Sequence, residues 1–153
     1  MSTFDEFKVK FKIEEFLIYD TEFWIWSLRP HQATLGSSIL SLKREAIEFS
    51  NLNEEEFKDL GNIIRVIEST LKAAFGYDVI NHLMLMMFDR YVHFHIIPRY
   101  KKANAFNSIE WIDVSWPGIP PLIGQEIDSE EGLFIIKEIK KMMAGKEVNN
   151  EKV

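Results

Sequence analysis

From Glu54 to about Phe75 the chain repeats apolar residues at three- and four-residue intervals: Phe57, Leu60, Ile64, Ile67, Leu71 and Ala74. That spacing predicts one helix with a single continuous apolar stripe. Asn53 and Glu56 stand at capping-box spacing before it, and Gly76 sits where a left-handed terminal residue is expected. A stripe of this length must be covered, and the residues that follow it suit a sheet.

Val79 to Phe88 is a long apolar run, Tyr91 to Ile97 is another, and only Asp89-Arg90 separates them. Two intervening residues predict a tight hairpin, although Asp-Arg lacks the glycine such turns prefer. Pro98 is expected to close the second strand. Upstream, Glu22 to Leu28 and Ser38 to Leu42 read as strands, the first ended by Arg29-Pro30. Phe7 to Ile13 alternates apolar and basic residues and favours a half-buried strand, with a short helix as the alternative. Lys101 to Gln125 holds three of the five prolines and reads as loop, with one strand near Ile109 to Val114. A last helix is expected from about Ser129 to Ala144, capped by Asp128 and Glu131, with Leu133, Ile136, Ile139 and Met143 as its apolar stripe. Residues 146–153 read as a disordered tail. No repeat or linker divides the 153 residues, so one α+β domain is expected.

Composition removes several function classes. There is no cysteine, hence no disulfide, thiolate metal site or cysteine nucleophile. The formal charge of −6 argues against a broad basic surface for duplex nucleic acid. No apolar run approaches the roughly 18 residues of a membrane span. The charged first dozen residues lack a signal-peptide core, so the expected location is cytoplasmic. Trp24, Trp26, Trp111 and Trp116 are expected in the core or at a dimer interface rather than stacked on a ligand.

The chemistry-bearing segment is Tyr91-Val-His-Phe-His-Ile-Ile97. Strand alternation places Tyr91, His93, His95 and Ile97 on one face and Val92, Phe94 and Ile96 on the other. The apolar face suits the long helix, leaving two imidazoles roughly 7 Å apart at Cα on the opposite side. An imidazole titrates near neutrality, so such a pair can serve as nucleophile, base or acid. It can also bind metal. With Phe88 opposite Tyr91 in the expected hairpin, His82 would lie diagonal to His95, and three histidines could approach one ion. Met84 and Met86 would crowd that face and no carboxylate is near, so no metal ligands are assigned.

The longer string Tyr91-Val-His-Phe-His-Ile-Ile-Pro-Arg99 resembles the H-φ-H-φ-H-φ-φ signature of the histidine-triad superfamily, φ being apolar. Leu28 to Arg44 is similar to that family's strand–turn–strand, and the long helix falls between the two blocks in the family's order. Trp116-Pro117-Gly118 resembles a bacterial branch described as diadenosine-tetraphosphate-hydrolase-like. The resemblance covers Glu22 to Tyr100. It implies an antiparallel sheet of about five strands, a homodimer, and a nucleotide or dinucleoside polyphosphate bound with its phosphate beside the histidines. It further implies that His93 is the catalytic nucleophile, that His95 supports the phosphate, and that no metal or other cofactor is needed.

The departures from the family pattern are specific. Tyr91 replaces the first histidine, and Asp89-Arg90 replaces a loop that bears glycine and glutamine. Ser37 stands where a further histidine is usual, and Arg29 where an acidic or amide residue typically holds the ribose. Tyr91, Ser37, Arg29 and Arg99 are therefore the expected substrate-binding positions, with Arg29, Arg90 or Arg99 taking over phosphate contacts. His31 and His82 are expected to be structural or solvated. Three functional readings stay open: a nucleotidyl hydrolase or transferase, a nucleotide-binding protein without turnover and, behind both, a His-coordinated metal protein.

Overall fold

The computed structural model describes residues 2–150, with side chains through residue 143. In chain order the elements are α1 (Phe4–Lys10), β1 (Leu17–Asp20), β2 (Trp24–Leu28), β3 (His31–Gln32), β4 (Ser38–Leu42), α2 (Glu54–Phe75), β5 (Val79–Leu83), β6 (His93–Arg99), β7 (Asn104–Phe106), β8 (Ile109–Trp111), β9 (Gln125–Glu126) and α3 (Ser129–Asn150). Five strands form one antiparallel sheet in the order β1-β2-β4-β6-β5. β3 pairs with β9 and β7 with β8 outside it.

α2 carries both expected caps. Asn53 and Glu56 exchange side-chain to backbone bonds of 2.9 and 3.1 Å, and Gly76 is left-handed at φ 62°. Its buried row is Leu60, Ile63, Ile67 and Leu71, and it packs on Trp24, Trp26, Leu40 and Ile96 of the sheet. Each fully buried aliphatic side chain there contributes ~1.5–3 kcal/mol relative to exposure. Phe57, expected on this stripe, instead lies 41% exposed at the rim, edge-on to Phe49. α3 joins the same layer through Ile135, Ile136 and Ile139, capped by reciprocal Asp128–Glu131 bonds. Leu133 faces outward. The helix also runs past Ala144 to Asn150, through the start of the expected tail; residues 151–153 lie outside the described residues.

Several expectations are corrected. The segment Phe7 to Ile13 is not a strand but contains most of α1, opened by a Thr3–Glu6 capping box. Phe7 and Phe11, four apart, share its buried side, whereas Val9 is exposed, which a period of two does not explain. The run Val79 to Phe88 pairs only as far as Leu83, and nine residues rather than a tight turn lead to His93. Asp89 does not turn the chain: its carboxylate binds Ser2 and Lys10 at the end of α1. The register consequently moves by one, with Leu83 opposite His95 and His82 opposite Ile96. His82 thus lies on the helix side, 3.6 Å from Glu68, and the cluster of three histidines does not form. Finally, Pro98 lies inside β6, beyond the last β4 pair at Ser38–Ile96, where a missing N–H is tolerated. The strand expected near Ile109 to Val114 is β8, which starts at Ile109, ends at Trp111 and pairs with β7 in a hairpin.

Candidate active site: a histidine cleft under the first helix

The alternation of β6 holds as read. Val92 and Ile96 enter the core beneath α2, while Tyr91, His93 and His95 project to the other face. That face is roofed by α1. Phe7 and Phe11 lie 5.0 and 6.1 Å from the His93 ring, and Phe11 lies 5.8 Å from His95. The two imidazoles meet edge to face at 5.0 Å. Strand geometry puts them on one side; the aromatic roof removes them from water.

Burial decides their charge. It lowers the His93 pKa, with the Tyr91 carbonyl and the Asp89 carboxylate opposing, and leaves the ring neutral at pH 7. His95 is pushed down to about 3, first by burial and then by the positive charges of Arg29 and of a protonated His93. His93 Nδ1 lies 2.5 Å from the Tyr91 carbonyl oxygen. A neutral ring can only donate there, so Nε2, on the opposite edge, keeps its lone pair. His95 Nδ1 is buried and has no partner among the described residues.

Arg29 stands beside them. Its guanidinium donates to the carbonyls of His31 at 3.2 Å and Leu122 at 2.5 Å, while its buried Nε has no partner among the described residues. Among the described residues no carboxylate pairs with it, and burial lowers its pKa to about 10, still charged at neutrality. A buried cation without a counter-ion is costly, so the position suits an incoming anion. Asp89 is already occupied. Burial works to raise its pKa, but the Lys10 bond at 2.6 Å and the Ser2 bond at 2.7 Å outweigh this and hold it below its ordinary value.

These groups line a cleft of about 510 Å³. Arg29, His93 and His95 form its polar part, and Lys10 and Phe11 come from the end of α1. The lip is the 85–88 stretch of the loop after β5, facing Leu122 and Ile123. Met86 in that loop has φ 50°, a conformation few side chains adopt.

The architecture matches solved proteins over most of its length. A hypothetical histidine triad nucleotide-binding protein from Sulfolobus tokodaii superposes with a TM-score of 0.67 at 17% identity, covering 90% of this chain and 89% of that one. A histidine triad protein from Sinorhizobium meliloti gives 0.67 at 21% identity, covering 85% and 92%. The diadenosine triphosphate hydrolase of Plasmodium falciparum gives 0.66 at 14% identity, covering 87% and 79%. The chain has the histidine-triad fold. No family model and no curated protein sequence matches it.

Within the histidine-triad fold of this chain, the expected site residues divide into two groups. His93, His95 and Arg29 come together in the cleft, with the exposed His31 at its edge. Tyr91, Ser37 and Arg99 take positions away from its lining. The Tyr91 hydroxyl donates to the Ser2 carbonyl at 2.9 Å, and its ring packs on Phe4 and Phe7. Ser37 is fully buried and closes the turn after Gly36, its Oγ donating to the Thr34 carbonyl at 2.8 Å. Arg99 lies at the far end of β6, clamped by Asp113 at 2.7 and 3.2 Å and by Asn81 at 3.0 Å. Arg90 is exposed outside the cleft. Lys10, Phe11, Asp89 and the apolar lip are the contributions that sequence reasoning missed. The Thr3–Glu6 capping pair was the signal that could have placed α1, and through it Lys10 and Phe11.

Proposed function

We propose that the chain is a nucleotidyl hydrolase or transferase in which His93 attacks the phosphorus of a nucleoside or dinucleoside polyphosphate. The observation that carries this reading is the grouping of His93, neutral with Nε2 unbonded, His95 and the uncompensated Arg29 in one cleft. Nε2 forms the P–N bond as the bond from phosphorus to the leaving group breaks. The leaving group departs with the electron pair and takes a proton from water when its basicity requires one. The phosphorylated imidazole then carries positive charge, which its Nδ1–H shares with the Tyr91 carbonyl. Water, or another acceptor, attacks phosphorus in turn; the P–N bond breaks with its electron pair returning to Nε2, the acceptor's proton passes to solvent, and the neutral ring is restored. Arg29 is suited to balance the charge on the non-bridging oxygens, and the donor on His95 to hold one of them. Tyr91, Ser37 and Arg99 support the site indirectly in this reading.

Replacing His93 with alanine is expected to abolish turnover of diadenosine polyphosphates and nucleoside phosphoramidates while the circular dichroism spectrum stays that of the parent. Undiminished turnover in His93→Ala would remove that residue from the mechanism.

A second reading, nucleotide binding without turnover, is favoured by one observation: the Tyr91 hydroxyl is committed to Ser2 and brings no third polar group to the histidines. It predicts measurable adenosine monophosphate binding with no hydrolysis across the same panel. Turnover of any member rejects it.

A further inference from the structure

Strand alternation sends His93 and His95 to the face of the sheet away from α2, yet in the fold they are only 2% and 7% exposed. Their cover is α1, through Phe7 and Phe11. The cleft is open at its mouth, but the rings at its polar end present almost no surface to an incoming phosphorus.

The attachment of α1 decides whether that cover can move. Its apolar contacts form a small cluster of Phe7, Phe11, Ile13, Ile39 and Tyr91, separate from the main core beneath α2. A satellite cluster of this kind can open locally while the rest of the fold stays intact. Beyond the helix the chain is anchored, the Ile13 carbonyl accepting from Ser27 Oγ at 2.5 Å. Between helix and anchor stands Lys12 at φ 50°, a strained, left-handed joint. Ahead of this joint, three side-chain links tie residues 2–11 to the rest of the described chain. Ser2 Oγ donates to one oxygen of Asp89 at 2.7 Å, Lys10 Nζ to the other at 2.6 Å, and the Tyr91 hydroxyl to the Ser2 carbonyl at 2.9 Å. Asp89 therefore holds both ends of a seven-residue helix, and does so from the loop that forms the lip of the cleft.

Resting on the reading of His93 as the attacking group, we propose that α1 is a lid over the histidine cleft, hinged at Lys12 and latched by Asp89. Ligand enters and product leaves when the lid lifts, and closure returns the imidazoles to apolar surroundings.

Diethyl pyrocarbonate, which acylates a neutral imidazole nitrogen, tests the lid without any nucleotide. Peptide mass spectrometry follows the four histidines of the full chain separately. His31 is exposed and sets the unhindered rate; His82, on the helix side of the sheet, reports loosening of the fold as a whole. In the parent at pH 7, His93 is expected to react far more slowly than His31. In the near-isosteric Asp89→Asn variant its rate should rise roughly tenfold. Lys10→Met should raise it by less, because that lysine is half exposed, and His82 should keep its parent rate in both. The two charges act on the His93 ring in opposite senses, Asp89 raising its basicity and Lys10 lowering it, so a rise in both variants reports access rather than charge. A parent His93 as reactive as His31, an unchanged rate in both variants, shifts of opposite sign, or an equal acceleration of His82 each overturns the lid. None of these outcomes touches the nucleotide reading, which falls instead if His93→Ala keeps full turnover.

Discussion

His95 illustrates what burial does to an imidazole that strand periodicity alone would leave at its ordinary pKa. In the unfolded chain such a ring takes up a proton near pH 6.5, whereas in the fold it does so only at about 3. Between those values the unfolded state binds a proton that the folded state refuses. Stability must therefore fall as pH drops through this window and stop falling on this account below about 3. His93 is displaced in the same direction and adds to the loss. Urea unfolding at pH 7 and pH 5 is expected to show the decline, and His95→Gln should reduce its slope by up to ~1.4 kcal/mol per pH unit. An unchanged slope would mean that His95 is already protonated in the folded chain. Both histidines were legible from the sequence as a pair on one face. That Arg29 lacks a counter-ion was not, because a missing partner is a property of neighbours distant in the chain.

At the scale of elements, the long helix, β4 and the α3 cap were readable because their signals are local: an apolar period, a capping pair, a left-handed glycine. α1 was misread because Phe7-Lys8-Val9-Lys10-Phe11 satisfies two periods over so short a span. The arbiter was Thr3–Glu6, outside the alternating stretch. α3 carries a constraint of another kind. A Cβ on Gly132 would sit 2.4 Å from Cζ of Phe16, a ring with no exposed surface into which it could swing. Gly132→Ala is therefore expected to destabilise the chain by ~1–3 kcal/mol, despite alanine's better helix propensity. Chemical denaturation measures this, and Phe16→Leu in the same chain should recover part of the loss. A stabilised Gly132→Ala protein would show that α3 can move off β1.

For the whole molecule, the resemblance of the Tyr91–Arg99 string to the histidine-triad signature implies a homodimer, and we propose on that ground that the chain sediments at twice its 18.0 kDa mass. A single species at the chain mass across a concentration series would remove that expectation. Among the described residues no helix is long and apolar enough to cross a membrane, in line with the hydropathy of the sequence. The sequence by itself determined the helix that needs a sheet, the order of the elements, and the sorting of β6 into a core face and a histidine face. Each follows from the period of side chains along one segment. The tertiary structure decided that α1 roofs the histidines, that Asp89 ties down that roof, that His82 belongs to the far side, and that Arg29 rather than Arg99 reaches the cleft. Those outcomes depend on register and on contacts between residues up to 93 positions apart, such as Arg29 with Leu122. Local periodicity cannot encode them, because a shift of one residue in pairing reverses every side chain of a strand.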